Sequence, residues 1–395
     1  MATFAIHTLG CKTNQAEGDQ IADQLTKHGL QSTAFKNKSD IYIINSCTVT
    51  QRADKKTLRF IKQALKQNSK AKIFLIGCYR KFADKELPVE IIEKEKLIKK
   101  FNGKSNEPQG IPKPHPHIRR NLLIQTGCEN FCSYCIVPYV RGKNKFKPLN
   151  EILNNANELI ETGAKEIVLT GTNLGTHKEL ITIIKKLSRI KDLIRIRLSS
   201  IEPMYINKDL IECITNNPKV CPHLHIPLQS GDNDILQAMK RNYTREDFLE
   251  LIKMIRKHVP DMSFNTDILV GFPGETDKQF NNTIDLIKRI NFSRIHVFSF
   301  SKRPLTAAYK LPDFVDPKTI KERALRTKDL GKKLINNFIM QNKDKNIEIL
   351  VEQKNKQGLW EGLSPHYLRC AFSLNQNLFG KVILIPFIKV KQVAS

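Results

Sequence analysis

Cys128, Cys132 and Cys135 stand in the run GCENFCSYC, with gaps of three and two residues between them. Three thiolates this close can hold three corners of a cubane iron–sulfur cluster, which leaves the fourth iron open to a small molecule. Zinc is the rival. Structural zinc is normally closed by four ligands, and no fourth ligand lies in this run. Three unligated buried thiols are the remaining alternative. The tight spacing, with the aromatic Tyr134 before the last cysteine, favours the cluster.

Cys11, Cys47 and Cys78 lie 36 and 31 residues apart, and spacing this wide carries little weight alone. Their placement carries more. The pattern predicts strands over Thr3–Leu9, Ile41–Asn45 and Lys72–Ile76, each running into a loop with one of these cysteines. Amphipathic helices fall between them, Glu17–His28 ending at the C-cap Gly29 and a second over 54–67. Alternation of this kind gives a parallel sheet with covering helices. If the three strands are adjacent, their loops converge and the thiols could share one metal; three ordinary thiols are the other reading.

The elements that would position the tighter triad begin at Asn121. Candidate strands are Asn121–Gln125, Glu166–Thr170, Ile194–Leu198, His223–Pro227, Ser263–Val270 and Arg294–Phe300, with helices such as Leu149–Thr162 between them. Six units make most of an eight-fold barrel. Small and polar motifs follow the strand ends: TGC at 126–128, TGTNLG at 170–175, SSIEP at 199–203, PLQSG at 227–231 and GFPGET at 271–276. That is the face where ligands bind in parallel α/β folds. A helix is expected over 316–340, carrying seven basic and two acidic residues between Lys318 and Lys333. The last 50 residues alternate strand-like runs with Gly, Asn and Pro turns, which fits a small antiparallel barrel. The expected fold is therefore α/β: a parallel-sheet α/β domain over 1–100, a Gly- and Pro-rich linker over 101–118, a partial (β/α)6 barrel over 119–340 and an antiparallel β-barrel over 341–395.

The 395 residues include 65 Lys and Arg against 39 Asp and Glu, a formal charge of +26. That favours a polyanionic partner, although a Lys- and Asn-rich coding bias accounts for part of the excess. No apolar run approaches the roughly 20 residues of a membrane helix, and the N-terminus lacks a signal-peptide pattern. A cytoplasmic location is expected, with the nine cysteines as thiols, ligands or catalysts rather than disulfides. Cys213, Cys221 and Cys370 read as small buried apolar residues.

CxxxCxxC after the first strand of a partial barrel resembles the radical S-adenosylmethionine superfamily. TLGCKTNQ at 8–15, INSCTVT at 44–50 and IGCYRK at 76–81 resemble the N-terminal domain of its methylthiotransferases. The resemblance covers nearly the whole chain. It implies a 4Fe–4S cluster on Cys128, Cys132 and Cys135 that cleaves S-adenosylmethionine to a 5′-deoxyadenosyl radical. It implies a second 4Fe–4S cluster on Cys11, Cys47 and Cys78 that carries the sulfur to be inserted, and a C-terminal RNA-binding barrel called TRAM. Tyr134, Gly171, Asn173, Ser199, Ser200, Glu202 and Gln229 should line the cosubstrate pocket, with turn and barrel-rim structure as the plainer reading. The GFPGET turn could hug an adenine. His223 and His225, on one face of a strand, are as well read as a satisfied core pair as a functional one. Arg141, in FCSYCIVPYVRG, could meet a negative cluster or substrate phosphate, or simply form an ion pair.

TLGCKTNQ resembles the subgroup acting on threonylcarbamoyl-modified adenosine; the subgroups for isopentenylated adenosine and for a ribosomal-protein aspartate usually read TxGCQMN and SLGCPKN. The implied partners are the tRNA anticodon stem-loop and an electron-donor protein, with no membrane and a monomeric chain. An iron–sulfur RNA-binding protein without turnover is the rival from another class. Four departures from the family pattern stand out. Thr126 replaces the usual Asp before GC, HVFSFSKRPLTAA has Ser299 for Pro and Leu305 for Gly, the stretch between Cys78 and Cys128 is short, and TGTNLG is itself a variant.

Overall fold

A computed structural model describes residues 1–101, 117–387 and 390–392. All but the ends of the expected linker lie outside the described residues. Five parallel strands near the N-terminus pair in the order Gln31–Ser32, Thr3–Thr8, Ile41–Ser46, Lys72–Gly77, Glu90–Ile91. Ile41–Ser46 is buried along its whole length, as a strand covered on both faces must be. On one face Phe4, Ile43 and Ile76 meet Ile21 and Leu25 of the helix Lys12–Lys27. On the other Tyr42, Ile44 and Leu75 meet Ile61 and Ala64 of the helix Gln51–Gln67. The first helix starts at Lys12 rather than at Glu17. Its first turn, KTNQ, shows no apolar period, yet Asn14 is buried there and its Nδ2 donates to Leu9 O (2.7 Å) and Ser46 O (2.9 Å).

Six parallel strands then form an open barrel: Arg119–Thr126, Glu166–Gly171, Arg195–Leu198, His223–His225, Ser263–Val270 and Arg294–Ser299. Bridges between Ile196 and Val220 and between Ser200 and His225 join its two halves. A short strand, Lys145–Phe146, lies antiparallel on the free edge of the first strand. The fourth strand ends two residues earlier than expected, because Pro227 has no N–H to offer a ladder. The helix Lys12–Lys27 packs on the first two barrel strands, so the N-terminal sheet is fixed to the barrel.

After the helix Pro317–Asn342 the chain forms an antiparallel sheet ordered Val382–Pro386, Asn346–Lys354, Trp360–Leu363, Arg369–Phe372, Lys391–Gln392. Trp360–Leu363 has no alternating pattern to betray it. It is buried throughout, and Trp360 Nε1 donates to Gln376 O at 3.1 Å. This sheet grips the barrel through the buried Arg195 and Arg197 and the partly buried Arg119. Arg195 Nη1 donates to Leu363 O (2.8 Å), Arg197 Nη1 to Pro365 O (2.7 Å) and Arg119 Nε to Glu352 Oε1 (2.8 Å). Arg197 and the fully buried Glu166 also pair at 2.7 Å. Tyr367, with a left-handed φ of 67°, stacks its ring 4.7 Å from that of His223.

Candidate active site

Gly127 sets the cysteine loop. Its φ is +82°, and a Cβ there would stand 2.0 Å from Lys143 O, so only glycine turns the strand this sharply. Cys128 N donates to Gly142 O (3.1 Å), and Ser133 Oγ donates to Ala238 O (2.7 Å), fastening both ends of the loop. Burial raises the Cys128 and Cys132 thiols and pushes Cys135 up to about 12, with the neighbouring Cys132 adding to it. Three soft donors crowded into a partly buried loop fit a multiply charged metal centre, whose cations would replace those protons. The surrounding polar groups fit as well. Arg241 Nη1 lies 3.6 Å from Cys132 Sγ and Asn173 Nδ2 lies 3.9 Å from Cys128 Sγ, both as N–H donors toward sulfur.

The second triad also converges. Thr3–Thr8, Ile41–Ser46 and Lys72–Gly77 are adjacent, and Cys11, Cys47 and Cys78 follow their carboxyl ends. Gly10 (φ +99°) and Gly77 (φ +85°) make the close approaches: a Cβ on Gly10 would stand 2.8 Å from Cys47 Sγ, and one on Gly77 2.4 Å from Ser46 O. Cys47 and Cys78 are buried and Cys11 is exposed. Burial pushes the Cys47 thiol up to about 12, and the nearby Cys78 and Cys11 thiols add to the rise. Burial raises Cys78 too, with Cys11 adding and Arg141 opposing. This donor set fits a second cluster on the same grounds.

Arg141 joins the two triads. It ends the short helix Val137–Arg141 that follows the CxxxCxxC loop. Its Nη2 donates to Glu17 Oε2 (2.9 Å) and to Asn14 Oδ1, and its Nη1 to Thr126 Oγ1 (2.9 Å). Burial works against its charge, but Cys78 and Glu17 beside it hold the guanidinium firmly protonated. Of the alternatives for Arg141, the structure gives an inward ion pair beside Cys78. Lys81 Nζ adds a donation to Tyr139 O (2.6 Å) across the same seam. At the same carboxyl end of the sheet Arg303 donates to Thr48 Oγ1 (2.6 Å) and pairs with Asp54 Oδ2 (2.7 Å). The HVFSFSKRPLTAA motif thus clasps the loop after Cys47.

Apart from Tyr134, which lies within the cysteine loop, the expected pocket residues sit at strand ends. Asn173 is buried, takes Gln125 Oε1 on its backbone N–H (2.9 Å) and leaves Oδ1 without a partner. Gly171 lies against Gln125 as well; a Cβ there would stand 2.8 Å from Gln125 Oε1. Glu202 accepts from both Nη atoms of Arg241, one at 3.1 Å. Ser199 Oγ is buried and unpartnered, and Ser200 bridges to His225. Gln229 holds a φ of 64° and its N–H donates to Asp267 O (2.8 Å). Tyr134 packs against the cluster of Ile235, Met239, Leu269, Phe272 and Ala308. Asn173 and Glu202 are thereby tied to the cysteine loop. Glu275 of GFPGET closes its own loop, accepting from Gly271 N (2.8 Å) and pairing with Arg323 (2.8 Å). Sequence inspection missed Arg241 and Gln125. Both sit in runs with no spacing signal, and only their distant partners reveal them.

Residues 122–287 match the Radical SAM superfamily, and residues 3–98 match the family described as Uncharacterized protein family UPF0004. The threonylcarbamoyladenosine tRNA methylthiotransferase MtaB of Bacillus subtilis is 34% identical over 425 residues, covering 98% of this chain and 94% of that protein. The chain belongs to the radical S-adenosylmethionine methylthiotransferases. The Thermotoga maritima MtaB is also 34% identical, over 95% of this methylthiotransferase and 92% of its own length. The tRNA-2-methylthio-N(6)-dimethylallyladenosine synthase of Carboxydothermus hydrogenoformans is 32% identical, over 98% and 97% of the two chains. Among solved structures, the radical S-adenosylmethionine methyltransferase TsrM from Kitasatospora setae shares the fold at a TM-score of 0.56 and 13% identity, covering 75% of this chain and 72% of that one. The methylthiotransferase therefore uses S-adenosylmethionine and two 4Fe–4S clusters, as its family does. No helix among the described residues is long and apolar enough to cross a membrane.

Proposed function

We propose that this methylthiotransferase converts N6-threonylcarbamoyladenosine beside the tRNA anticodon to its 2-methylthio form. The observation that carries the reading is the pair of cysteine triads, one in the loop after the first barrel strand and one at three adjacent strand ends, joined by Arg141. Carbon 2 of adenine bears a hydrogen that no side-chain base can remove. Cys128, Cys132 and Cys135 would hold a cluster that, with S-adenosylmethionine, would supply a carbon radical for that task, and Cys11, Cys47 and Cys78 would hold one that would supply sulfur. Arg241 and Asn173 donate toward the Cys132 and Cys128 sulfurs, and Arg241 fixes the Glu202 carboxylate next to them. Glu202, Asn173, Ser199, Ser200, Gly171, Gln229 and Tyr134 line the cosubstrate side of this proposed site.

The choice of nucleoside rests on TLGCKTNQ at 8–15, since relatives bearing either nucleoside's name match this chain at nearly equal identity. The target base must leave the anticodon-loop stack, which single-stranded loop bases do at modest cost. The C-terminal domain of 341–395 would hold the RNA as a TRAM-like domain beside the radical core of 119–340 and the N-terminal domain of 1–100. The enzyme would act in the cytoplasm as a monomer, reduced by a donor protein. Reduced, cluster-loaded enzyme should form the 2-methylthio nucleoside on tRNA bearing threonylcarbamoyladenosine. Cys11→Ala should still cleave S-adenosylmethionine but form none; normal product from that variant would refute the assignment of the sulfur to the N-terminal triad.

A further inference from the structure

His225, Asp267 and His296 lie on three neighbouring barrel strands and outside both cysteine triads. The register puts them on one face. Asp267 is paired with His296, while His225 is paired with Asn265, two residues before Asp267 on the same strand. Ser200 bridges to His225 and Gln229 to Ile268, so the group sits directly beneath the loops of the proposed cosubstrate site. All three are partly buried, and one ligand atom from each lies within 4.8 Å of the others.

The contacts within the group are unusual for a plain ion-pair chain. Asp267 Oδ1 faces both rings: it is hydrogen-bonded to His296 Nδ1 at 3.2 Å and lies 3.1 Å from His225 Nε2. His225 Nε2 is buried and has no hydrogen-bond partner: its short approach to Asp267 lacks hydrogen-bonding geometry. A buried polar atom left this way calls for something that is not protein. Two lone pairs side by side, not aimed at one another, suit a cation placed between them. Donor atoms around one zinc-like ion lie roughly 3 to 3.4 Å apart, which the two measured separations match.

We propose that His225, Asp267 and His296 bind one divalent first-row metal ion of the zinc or ferrous class, facing the barrel interior. Two imidazoles and one carboxylate on one side of an ion leave its other positions open. Those positions would take an oxygen ligand such as a carboxylate or hydroxyl. If the nucleoside assignment above holds, the threonyl group of the substrate carries both.

Zinc is the probe. Anaerobically reconstituted holoenzyme is exposed to zinc, desalted, and analysed for zinc and iron together. The account predicts about one zinc per chain in addition to the cluster iron. His225→Ala combined with His296→Ala should lose that zinc and keep its iron, which also reports that the variant is folded. Asp267→Asn, nearly isosteric, should weaken zinc binding at least tenfold. Zinc absent from the unmutated holoenzyme, or retained in full by the double variant, overturns the site. Either result leaves thiolation untouched, whereas zinc binding without thiolation of any tRNA would overturn the function and leave the site standing.

Discussion

Arg141 Nη1 donates to Thr126 Oγ1 at 2.9 Å, so the residue that stands where relatives usually carry an aspartate still receives this arginine. The compensating carboxylate comes from elsewhere: Glu17, on the first helix, pairs with the same guanidinium at 2.9 Å. Thr126 precedes Cys128 by two residues and Glu17 follows Cys11 by six, so one side chain ties the loops of both triads.

Replacing Arg141 by Met should therefore cost more than a surface ion pair. It leaves Glu17, whose side chain is only 14% exposed, without its main partner. Breaking a pair buried to this degree costs roughly 3–5 kcal/mol. Denaturant unfolding of the variant checks this, and adding Glu17→Gln should recover part of the loss. A shift below about 1 kcal/mol, typical of exposed pairs, would show that the seam is held otherwise.

Leu305 marks the second departure. It occupies a left-handed φ of 72° and its side chain points to solvent, 61% exposed. A non-glycine residue in that region carries a steric cost of roughly 1–2 kcal/mol, and glycine carries a larger entropic cost on folding. Leu305→Gly should stabilise the protein by about 0.5–1 kcal/mol, read as a raised denaturant midpoint. A lower midpoint would mean that Leu305 makes contacts that outweigh its backbone strain.

How much of this was legible beforehand differs by feature. The cysteine triads and most strand boundaries followed from apolar periodicity and from loops at strand ends, which are local properties. The short edge strand Lys145–Phe146, the buried strand Trp360–Leu363 and the arginines 119, 195, 197, 241 and 303 were not legible. Each arginine depends on a partner distant in sequence: Arg303 meets Thr48, 255 residues away, and Arg195 meets Leu363, 168 away. An arginine in a strand reads as solvent-facing until its carboxylate or carbonyl is in view.

The thiols give a pH signature. Burial pushes Cys47 and Cys135 up to about 12 from the ordinary 9.0 of a thiol. Below pH 9 both folded and unfolded chains keep these protons. Above it the unfolded chain loses them first and binds fewer protons than the folded one, so stability falls as pH rises through this window. Cluster-free protein should show that fall from about pH 9 upward in thermal melts. Cluster-loaded protein should show a shallower one, because ligated Cys47 and Cys135 hold no proton. Equal slopes would argue that neither thiol is a ligand.

The C-terminal sheet calls for a gentler test than deletion. Removing it would strand Arg119, Arg195 and Arg197, which now bond Glu352, Leu363 O and Pro365 O. Lys356 and Lys381 are exposed and have no such role. Changing both to Ser should weaken tRNA binding and reduce the magnitude of its log–log salt slope by about 1–2 units. Unchanged binding and slope would place the RNA footprint elsewhere on this basic chain.

The most direct measurement offers the reduced, cluster-loaded enzyme an equimolar mixture of two tRNAs, one bearing threonylcarbamoyladenosine and the other isopentenyladenosine, followed by nucleoside mass spectrometry. The account predicts the 2-methylthio derivative of threonylcarbamoyladenosine, with the isopentenylated tRNA returned unchanged. Methylthiolation of isopentenyladenosine in preference would contradict the substrate assignment, and turnover of neither tRNA, with S-adenosylmethionine still cleaved, would contradict tRNA as the substrate.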